Sequence, residues 1–269
     1  MRLSLRKILV SAALALAGLS QAAAASPPQA RVFLAGDSTV ASYGPDRFPS
    51  AGWGQALHCA FGPGVTVLNF ARGGASTRSF IAMGRFKQIA DAIGPGDVLM
   101  VQFGHNDARA DYPDLYAEAE TTYRVNIEAF VAMARSKGAQ PILLTPLAFR
   151  IFEDGKVADN HVPYASVVRA VAHEQHVPLI DLGADSAAWL ERLGDPASKR
   201  FFQGYGAGDE VKAPTGAPDD THLNELGARA VSDLIAVRLS QLDLPIARRV
   251  KTDRPALQRL RPTGGLECE

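Results

Sequence analysis

Five short apolar segments recur along this chain, and stretches with helical spacing separate them. The segments are residues 31–35, 65–70, 97–103, 141–145 and 177–181. Each is almost continuously apolar, which is typical of a strand buried on both faces of a parallel sheet. Alternating strands and helices of this kind predict an α/β fold. We expect a three-layer α/β/α sandwich around a five-stranded parallel sheet.

Three of the intervening stretches predict helices. Apolar residues in 115–136 recur at steps of three and four, and Gly138 follows as a helix stop: Leu115, Ala119, Tyr123, Ile127, Phe130 and Ala134. A second helix is predicted over 164–176 and a third over 224–242. In the third, one apolar face is predicted to contain Leu226, Ala230, Leu234, Val237 and Leu242.

The first 25 residues have the pattern of a signal peptide. A basic start containing Arg2, Arg6 and Lys7 precedes an apolar run over 8–19 and a small-residue cleavage site over 22–25. The alternative is an uncleaved anchor helix, but the apolar run is short for one. We therefore expect a secreted or periplasmic protein. Residues 26–269 would form a single domain with a C-terminal tail from about residue 245.

Charge and cysteine content exclude some functions and leave others open. Removing residues 1–25 leaves 25 basic and 28 acidic side chains, so neither nucleic acid nor an anionic membrane is an expected partner. The locally basic stretch 248–261 is expected to be a solvated surface segment. Cys59 and Cys268 either pair in one disulfide or remain two unrelated thiols, and they are too few for a structural zinc site.

One residue with catalytic potential follows each of the first three predicted strands. Ser38 follows the first strand, Gly74 the second and Asn106 the third. The carboxyl ends of parallel strands meet at one edge of the sheet, where ligands bind. Asp219 and His222 precede the last predicted helix, and a loop there can return to the same edge. The Gly- and Pro-rich stretch 195–218 leads into them and is expected to form a wall or flap of the site.

These residue types suit acyl transfer through a serine. His222 would take the proton of Ser38, and a carboxylate three positions earlier, Asp219, would fix the imidazole tautomer. Asp220 is a rival for that role. Gly74 and Asn106 would supply a backbone N–H and a side-chain amide to an oxyanion. Each element alone also fits turn or helix-cap chemistry, and only their combination indicates a hydrolase.

The blocks around these residues resemble the SGNH (GDSL-type) hydrolases, and within them the rhamnogalacturonan acetylesterase branch. The blocks are Gly36-Asp37-Ser38-Thr39-Val40, Gly52-Trp53-Gly54-Gln55, residues 69–80, Gly104-His105-Asn106-Asp107 and Asp219-Asp220-Thr221-His222. The resemblance covers residues 31–240 and implies the flavodoxin-like SGNH hydrolase fold. One departure is Ala75, where the branch has an arginine, although Arg78 is retained.

The resemblance implies a role for each matched residue. Ser38 would be the nucleophile and a backbone oxyanion donor, Gly74 and Asn106 the other donors, His222 the base and Asp219 its orienter. The predicted function is a carboxylic ester hydrolase that removes O-acetyl groups from a poly- or oligosaccharide, with pectic rhamnogalacturonan as the expected substrate. It would need no metal and no organic cofactor.

Substrate contacts and rival functions are less constrained by the sequence. Trp53, Arg78 and Arg150 are candidate sugar contacts, with packing and ion pairing as the alternative, and His105 is expected to structure its loop. A lipid- or thioester-directed esterase would use the same machinery, but no long apolar stretch of the mature chain suggests an acyl channel. A dimetal phosphoesterase is a second alternative, but this chain lacks the further histidine ligands that such an enzyme needs. A non-catalytic sugar-binding module is a third, and it would not need to retain every catalytic element.

Overall fold

The computed structural model describes residues 29–158, 161–203 and 219–268. These residues form seven strands: β1 (Ala30–Gly36), β2 (Val65–Asn69), β3 (Val98–Gln102), β4 (Gln140–Leu144), β5 (Phe152–Glu153), β6 (Lys156–Val157) and β7 (Leu179–Ile180). The main sheet has five parallel strands in the order β2-β1-β3-β4-β7, and β5 and β6 form a separate antiparallel pair. The predicted parallel sheet is therefore confirmed, with each predicted strand in place.

Eight α-helices lie among the described residues: α1 (Trp53–Ala56), α2 (Thr77–Ala82), α3 (Arg85–Ala92), α4 (Arg124–Ser136), α5 (Val162–Glu174), α6 (Leu182–Leu193), α7 (Asp195–Ser198) and α8 (Glu225–Ser240). A π-helical segment, Ala119–Tyr123, leads into α4. Short 3₁₀ segments lie at Pro45–Arg47, Leu57–Ala60, Lys199–Phe201 and Pro245–Arg249.

Helices cover both faces of the sheet and give the predicted three layers. Along β1, Val32 and Leu34 pack with α1, α6 and α8, while Phe33 and Ala35 pack with α2, α3, α4 and α5. Alternate residues of one strand are thus buried on opposite faces, which explains why the strands are apolar almost throughout. The strand order reverses between β1 and β3. This is the point at which open α/β sheets bind ligands.

The predicted apolar face of the last helix is wrong. Val237 is 38% exposed, whereas Val231, Ile235 and Leu239 are fully buried against the sheet. Apolar residues occur on more than one side of α8, so helical spacing alone did not identify the buried stripe. Two buried polar residues on the correct face, Arg229 and Ser232, obscured it further.

The C-terminal segment lies at the surface over 248–261, as expected, but part of it is packed against the fold. Ala256 and Leu257 are buried, and Arg254 pairs with Asp233 of α8. Further along, the fully buried Arg229 donates to the carbonyls of Ala256 and Gly265 at 2.7 and 2.8 Å. A buried guanidinium is tolerated only when its donors are satisfied, so these bonds make the last residues part of the core structure.

A disulfide joins Cys59, beside α1, to Cys268 at the end of this segment. Of the two possibilities that the sequence left open, the structure has the paired one. His58 lies near the same sulfurs, and the three residues are the one group of potential metal ligands among the described residues. Because the sulfurs are bonded to each other, they are not thiolates that could bind zinc. No helix in the described ranges is long and apolar enough to cross a membrane.

Loss of the disulfide is expected to lower the free energy of unfolding by about 4 kcal/mol, because it closes a long loop in the unfolded chain. The loop spans 209 residues. Urea denaturation of the oxidised protein and of the Cys59→Ala/Cys268→Ser double variant measures the difference. Equal midpoints and slopes would contradict this expectation.

Candidate active site

The nucleophile loop follows β1 directly and is built on a buried carboxylate. Asp37 is fully buried, and its Oδ1 accepts from the backbone N–H of Thr39 at 2.9 Å and from its hydroxyl at 2.8 Å. His105 Nδ1 lies 3.0 Å from the other oxygen, and its Nε2 lies 3.0 Å from the carbonyl of Leu147. Burial alone would raise the pKa of Asp37, but His105 and Thr39 outweigh it and lower the pKa. Ser38 therefore follows directly after a buried, ionised carboxylate whose hydrogen bonds hold the loop in place.

Trp53 also helps to hold the nucleophile loop in place, and its predicted contact with sugar is wrong. The residue is 1% exposed, and its indole Nε1 donates to Gln102 Oε1 at 2.8 Å. Gln102 Nε2 in turn donates to the hydroxyl of Thr39 at 3.0 Å. A buried indole must satisfy its N–H, and here that bond connects α1 to the nucleophile loop. The ring has no face left for a substrate.

Ser38, His222 and Asp219 form one hydrogen-bonded chain. Ser38 Oγ lies 3.1 Å from His222 Nε2, and His222 Nδ1 lies 2.8 Å from Asp219 Oδ2. The other carboxylate oxygen, Oδ1, accepts from the backbone N–H groups of Thr221 and His222 at 3.0 and 2.8 Å. Asp219 therefore holds both the loop and the ring. A proton on Nδ1 leaves the Nε2 lone pair directed at the serine, as a general base requires.

Asp220 points away from His222 and pairs with Arg150. Arg150 is 7% exposed, also pairs with Asp195 at the start of α7, and donates its backbone N–H to the Asp220 carbonyl at 2.8 Å. Its expected role as a sugar contact is wrong, because its guanidinium fastens the histidine loop to two neighbouring segments. Of the stretch 195–218, which we expected to form a wall or flap, residues 204–218 lie outside the described residues.

The pairing of His222 with Asp219 shifts both pKa values in the direction that favours an ion pair. The hydrogen bond that His222 donates to Asp219 raises the pKa of His222 above its usual value, although partial burial opposes the shift. For Asp219, burial raises the pKa, but the bonds to His222 and Thr221 outweigh it and the pKa is lowered. Asp219 is therefore ionised wherever His222 is neutral.

These shifts predict where activity falls in acid. Only neutral His222 can accept the Ser38 proton, so kcat/KM should fall as pH drops through the raised pKa, with a midpoint above about 6.5. Asp219→Asn removes the largest raising interaction and should move the midpoint to lower pH. Initial rates on an aryl acetate across pH test both statements. A profile flat from pH 4 to 8 would be inconsistent with a histidine base.

Candidate oxyanion donors surround the serine. Among the described residues, the backbone N–H groups of Ser38 and Gly74 have no hydrogen-bond partner. Gly74 has φ +75°, a conformation that glycine adopts without strain. The Asn106 amide donates one hydrogen to the Ala75 carbonyl at 3.0 Å, which places the amide beside Gly74 and leaves its second hydrogen for another acceptor.

Asp107 connects the loops that contain these donors, and the sequence reasoning missed its role. Its Oδ1 accepts from the backbone N–H of Thr77 at 2.9 Å and from the Thr77 hydroxyl at 2.5 Å. Asn106 and Asp107 thus bond to Ala75 and Thr77 respectively, which fixes one loop against the other. Burial raises the pKa of Asp107 to about 7. Its position next to Asn106 was the only signal in the sequence.

A cleft of about 630 Å³ opens at Ser38 and His222, with Gly74 also in its wall. Tyr43 lines it and donates its hydroxyl to the Ser38 carbonyl at 2.9 Å. Arg47 and Arg72 line it as well, and the sequence analysis had given neither of them a role in substrate binding. Arg78 is exposed on α2, but it is not among the residues lining this cleft. Ser38, Gly74 and His222 thus share this cleft, which none of the three predicted sugar contacts lines.

Comparisons with known proteins agree with this geometry. The model of the GDSL-like lipase/acylhydrolase family matches residues 34–230. The rhamnogalacturonan acetylesterase RhgT of Bacillus subtilis (strain 168) is 40% identical over 217 residues, which cover 80% of this chain and 92% of the relative. YesY of the same organism, described as a probable rhamnogalacturonan acetylesterase, is 36% identical over 83% of this chain and 98% of its own length.

A solved structure has the same fold. The crystal structure of the B. subtilis protein YxiM superposes with a TM-score of 0.67 at 27% identity, and the match covers 79% of this chain. The chain spans 56% of that protein's length. The expected fold and the expected class, a carboxylic ester hydrolase, are confirmed. The family model and the two acetylesterase relatives show that this chain belongs to the GDSL-like lipase/acylhydrolase family and resembles its rhamnogalacturonan acetylesterase branch.

Proposed function

We propose that this protein is an exported acetylesterase that removes O-acetyl groups from rhamnogalacturonan by serine catalysis. The observation that carries the proposal is the hydrogen-bonded chain from Ser38 through His222 to Asp219 at the end of β1, beside unpaired N–H donors. The names of the relatives RhgT and YesY support an acetylated carbohydrate as the substrate and a pectic one in particular.

The geometry supports a two-step reaction through an acyl-enzyme. Ser38 Oγ attacks the acetyl carbonyl carbon while its proton passes to His222 Nε2, and the Ser38, Gly74 and Asn106 donors hold the resulting oxyanion. The bond to the sugar oxygen then breaks, and that oxygen takes the proton from His222. Water attacks the acetyl-serine with His222 again as the base, which releases acetate and restores the Ser38 hydroxyl.

The cleft favours a sugar ester over a lipid ester. Its wall consists mainly of polar and charged side chains and glycines, among them Ser42, Asp46, Asn69 and Arg72. A long acyl chain gains its binding energy by burying apolar surface, and this cleft offers little. An acetyl group is small enough to need no apolar channel.

Export is supported by two features. The signal-peptide pattern of residues 1–25 lies outside the described residues, so its support is from sequence alone. The disulfide between Cys59 and Cys268 is of the kind that persists in oxidising compartments such as the periplasm or the exterior. A mature N-terminus at Ser26 in exported protein is the corresponding expectation.

Hydrolysis of a substrate panel, scored by the acid or phosphomonoester that each substrate releases, tests the function. The panel contains acetylated rhamnogalacturonan, acetylated xylan, a long-chain acyl ester and a phosphodiester, each assayed with and without a chelator. We expect the highest kcat/KM on acetylated rhamnogalacturonan and no effect of chelation. Preference for the long-chain ester, or phosphodiester cleavage that depends on a divalent metal, would refute the proposal.

A further inference from the structure

The cleft at Ser38 contains more positive than negative charge. Three arginines line it, Arg47, Arg72 and Arg85, with Asp46 as the one acidic side chain among the lining residues. An acetyl ester is neutral, and its hydrolysis requires none of these guanidinium groups. Their position beside the nucleophile therefore calls for a substrate feature other than the ester.

Two of the three arginines are free to bind a ligand. Arg85 donates to the carbonyl of Phe70 at 2.9 Å and is thereby engaged in the fold. The guanidinium groups of Arg47 and Arg72 have no ion pair or hydrogen bond among the described residues, and both side chains are exposed. Other arginines that serve the fold of this chain also have partners, as Arg150 and Arg229 do in their pairs with carboxylates.

The backbone fixes both arginines next to the nucleophile loop. Arg72 donates its N–H to the carbonyl of Gly36, two residues before Ser38, at 3.0 Å, and it lies two residues before Gly74. Its backbone is therefore held beside the nucleophile loop, close in sequence to a candidate oxyanion donor.

Arg47 belongs to a segment that is also anchored to the nucleophile loop. It ends the 3₁₀ segment Pro45–Arg47, and Tyr43, two residues before that segment begins, donates its hydroxyl to the Ser38 carbonyl at 2.9 Å. Gln55 holds Tyr43 in place, because its side chain accepts from the Tyr43 N–H at 3.0 Å and donates to the Tyr43 carbonyl at 3.1 Å. The pKa of His222, raised chiefly by Asp219, is lowered in part by the charge of Arg47, which is therefore within electrostatic range of the catalytic base.

We propose that Arg47 and Arg72 bind a uronic acid carboxylate of the saccharide chain that carries the acetyl group. The planar guanidinium group matches a carboxylate with two parallel hydrogen bonds, and two such groups in the cleft of the serine would fix the register of the chain. This inference rests on the proposed function, which it extends by naming the charged group recognised and the residues that recognise it. It also transfers substrate recognition from Arg78 and Arg150 to two residues in the cleft.

The test compares substrates within each variant, so that a general loss of activity cancels. For the parent, Arg47→Gln, Arg72→Gln and the double variant, kcat/KM is measured on an acetylated uronate-containing oligosaccharide, an acetylated xylooligosaccharide and an aryl acetate. The ratio of the kcat/KM value for the uronate substrate to that for the aryl acetate should fall about tenfold for each single variant, since each loses a charge-assisted hydrogen bond to the carboxylate. The ratio of xylooligosaccharide to aryl acetate should stay within about threefold.

Arg192→Gln is the matched control, because Arg192 is exposed on α6 and does not line the cleft. Its ratios should equal those of the parent. Raising the ionic strength should lower kcat/KM of the parent for the uronate substrate and not for the neutral ones, because salt screens exposed charges. Equal ratios in the parent and the double variant would overturn the proposal, as would a larger effect of Arg78→Gln.

An inhibition experiment separates this proposal from the proposed function. Unacetylated oligogalacturonate should inhibit aryl acetate hydrolysis competitively, and the double variant should require at least about tenfold more of it. Failure of every polysaccharide to yield acetate would refute the proposed function, while inhibition through Arg47 and Arg72 would still hold. Inhibition by free acetate as strong as that by oligogalacturonate would assign the arginines to product binding and overturn the proposal.

Discussion

Ser38→Ala is expected to lower kcat for hydrolysis of an aryl acetate by about 10⁵-fold, the largest effect of any single substitution in this protein. The variant lacks the hydroxyl that attacks the carbonyl, so water must react without an acyl-enzyme, and only the oxyanion donors and substrate binding remain to assist it. Initial rates at high enzyme concentration measure the residual activity.

The fold should survive this change, because Ser38 Oγ contributes to the site and the loop is held by Asp37, Thr39 and Tyr43. Thermal unfolding of the variant should therefore match that of the parent within a few degrees. A variant that folds normally and retains more than about a tenth of the parent activity would exclude Ser38 as the nucleophile.

Asp219→Asn is expected to lower kcat by about 10²–10⁴-fold, the second-largest effect. The asparagine can still accept from the backbone N–H groups of Thr221 and His222 through one oxygen, so the loop keeps its shape. Its NH₂ group, however, would face His222 Nδ1 and require that nitrogen to be unprotonated. The ring would then present N–H at Nε2 to Ser38, which is the tautomer that cannot take a proton.

Asp220→Asn is the matched control for this experiment, since it makes the same chemical change at the neighbouring position. Its carboxylate pairs with Arg150 and not with His222, and Asp195 also holds that guanidinium. We expect its kcat to stay within about tenfold of the parent. If Asp220→Asn were the inactive variant and Asp219→Asn the active one, the assignment of the orienting acid would be wrong.

The positions of the strands could be predicted because each strand of the central sheet is buried on both faces. This requirement leaves continuous apolar runs such as 97–103 that few other structures produce. The α8 helix shows the limit of such reasoning, because it has apolar residues on several sides and the buried stripe depends on what packs against it. The hairpin of β5 and β6 is too short to leave a recognisable pattern.

The candidate triad and oxyanion donors could be predicted for a similar reason. Ser38, Gly74 and Asn106 follow three neighbouring strands, and the parallel sheet brings strand ends together whatever the rest of the chain does. The spacing of Asp219 and His222 permits their contact within one loop. Residue types and spacing left Asp220 as a rival, since side-chain direction in a loop follows from its backbone hydrogen bonds, and only the family resemblance favoured Asp219.

The sequence by itself determined the α/β class, the edge of the sheet at which the site lies and the residue types that could do the chemistry. Only the tertiary structure decided which of the other polar and aromatic residues face the cleft. Trp53 and Arg150 are buried in supporting contacts, while Arg47 and Arg72 stand free beside Ser38. The physical reason is that a buried strand requires apolar side chains at consecutive positions, which the sequence shows directly. Whether a loop side chain is exposed depends instead on partners far away in the sequence, and only the folded chain brings those partners together.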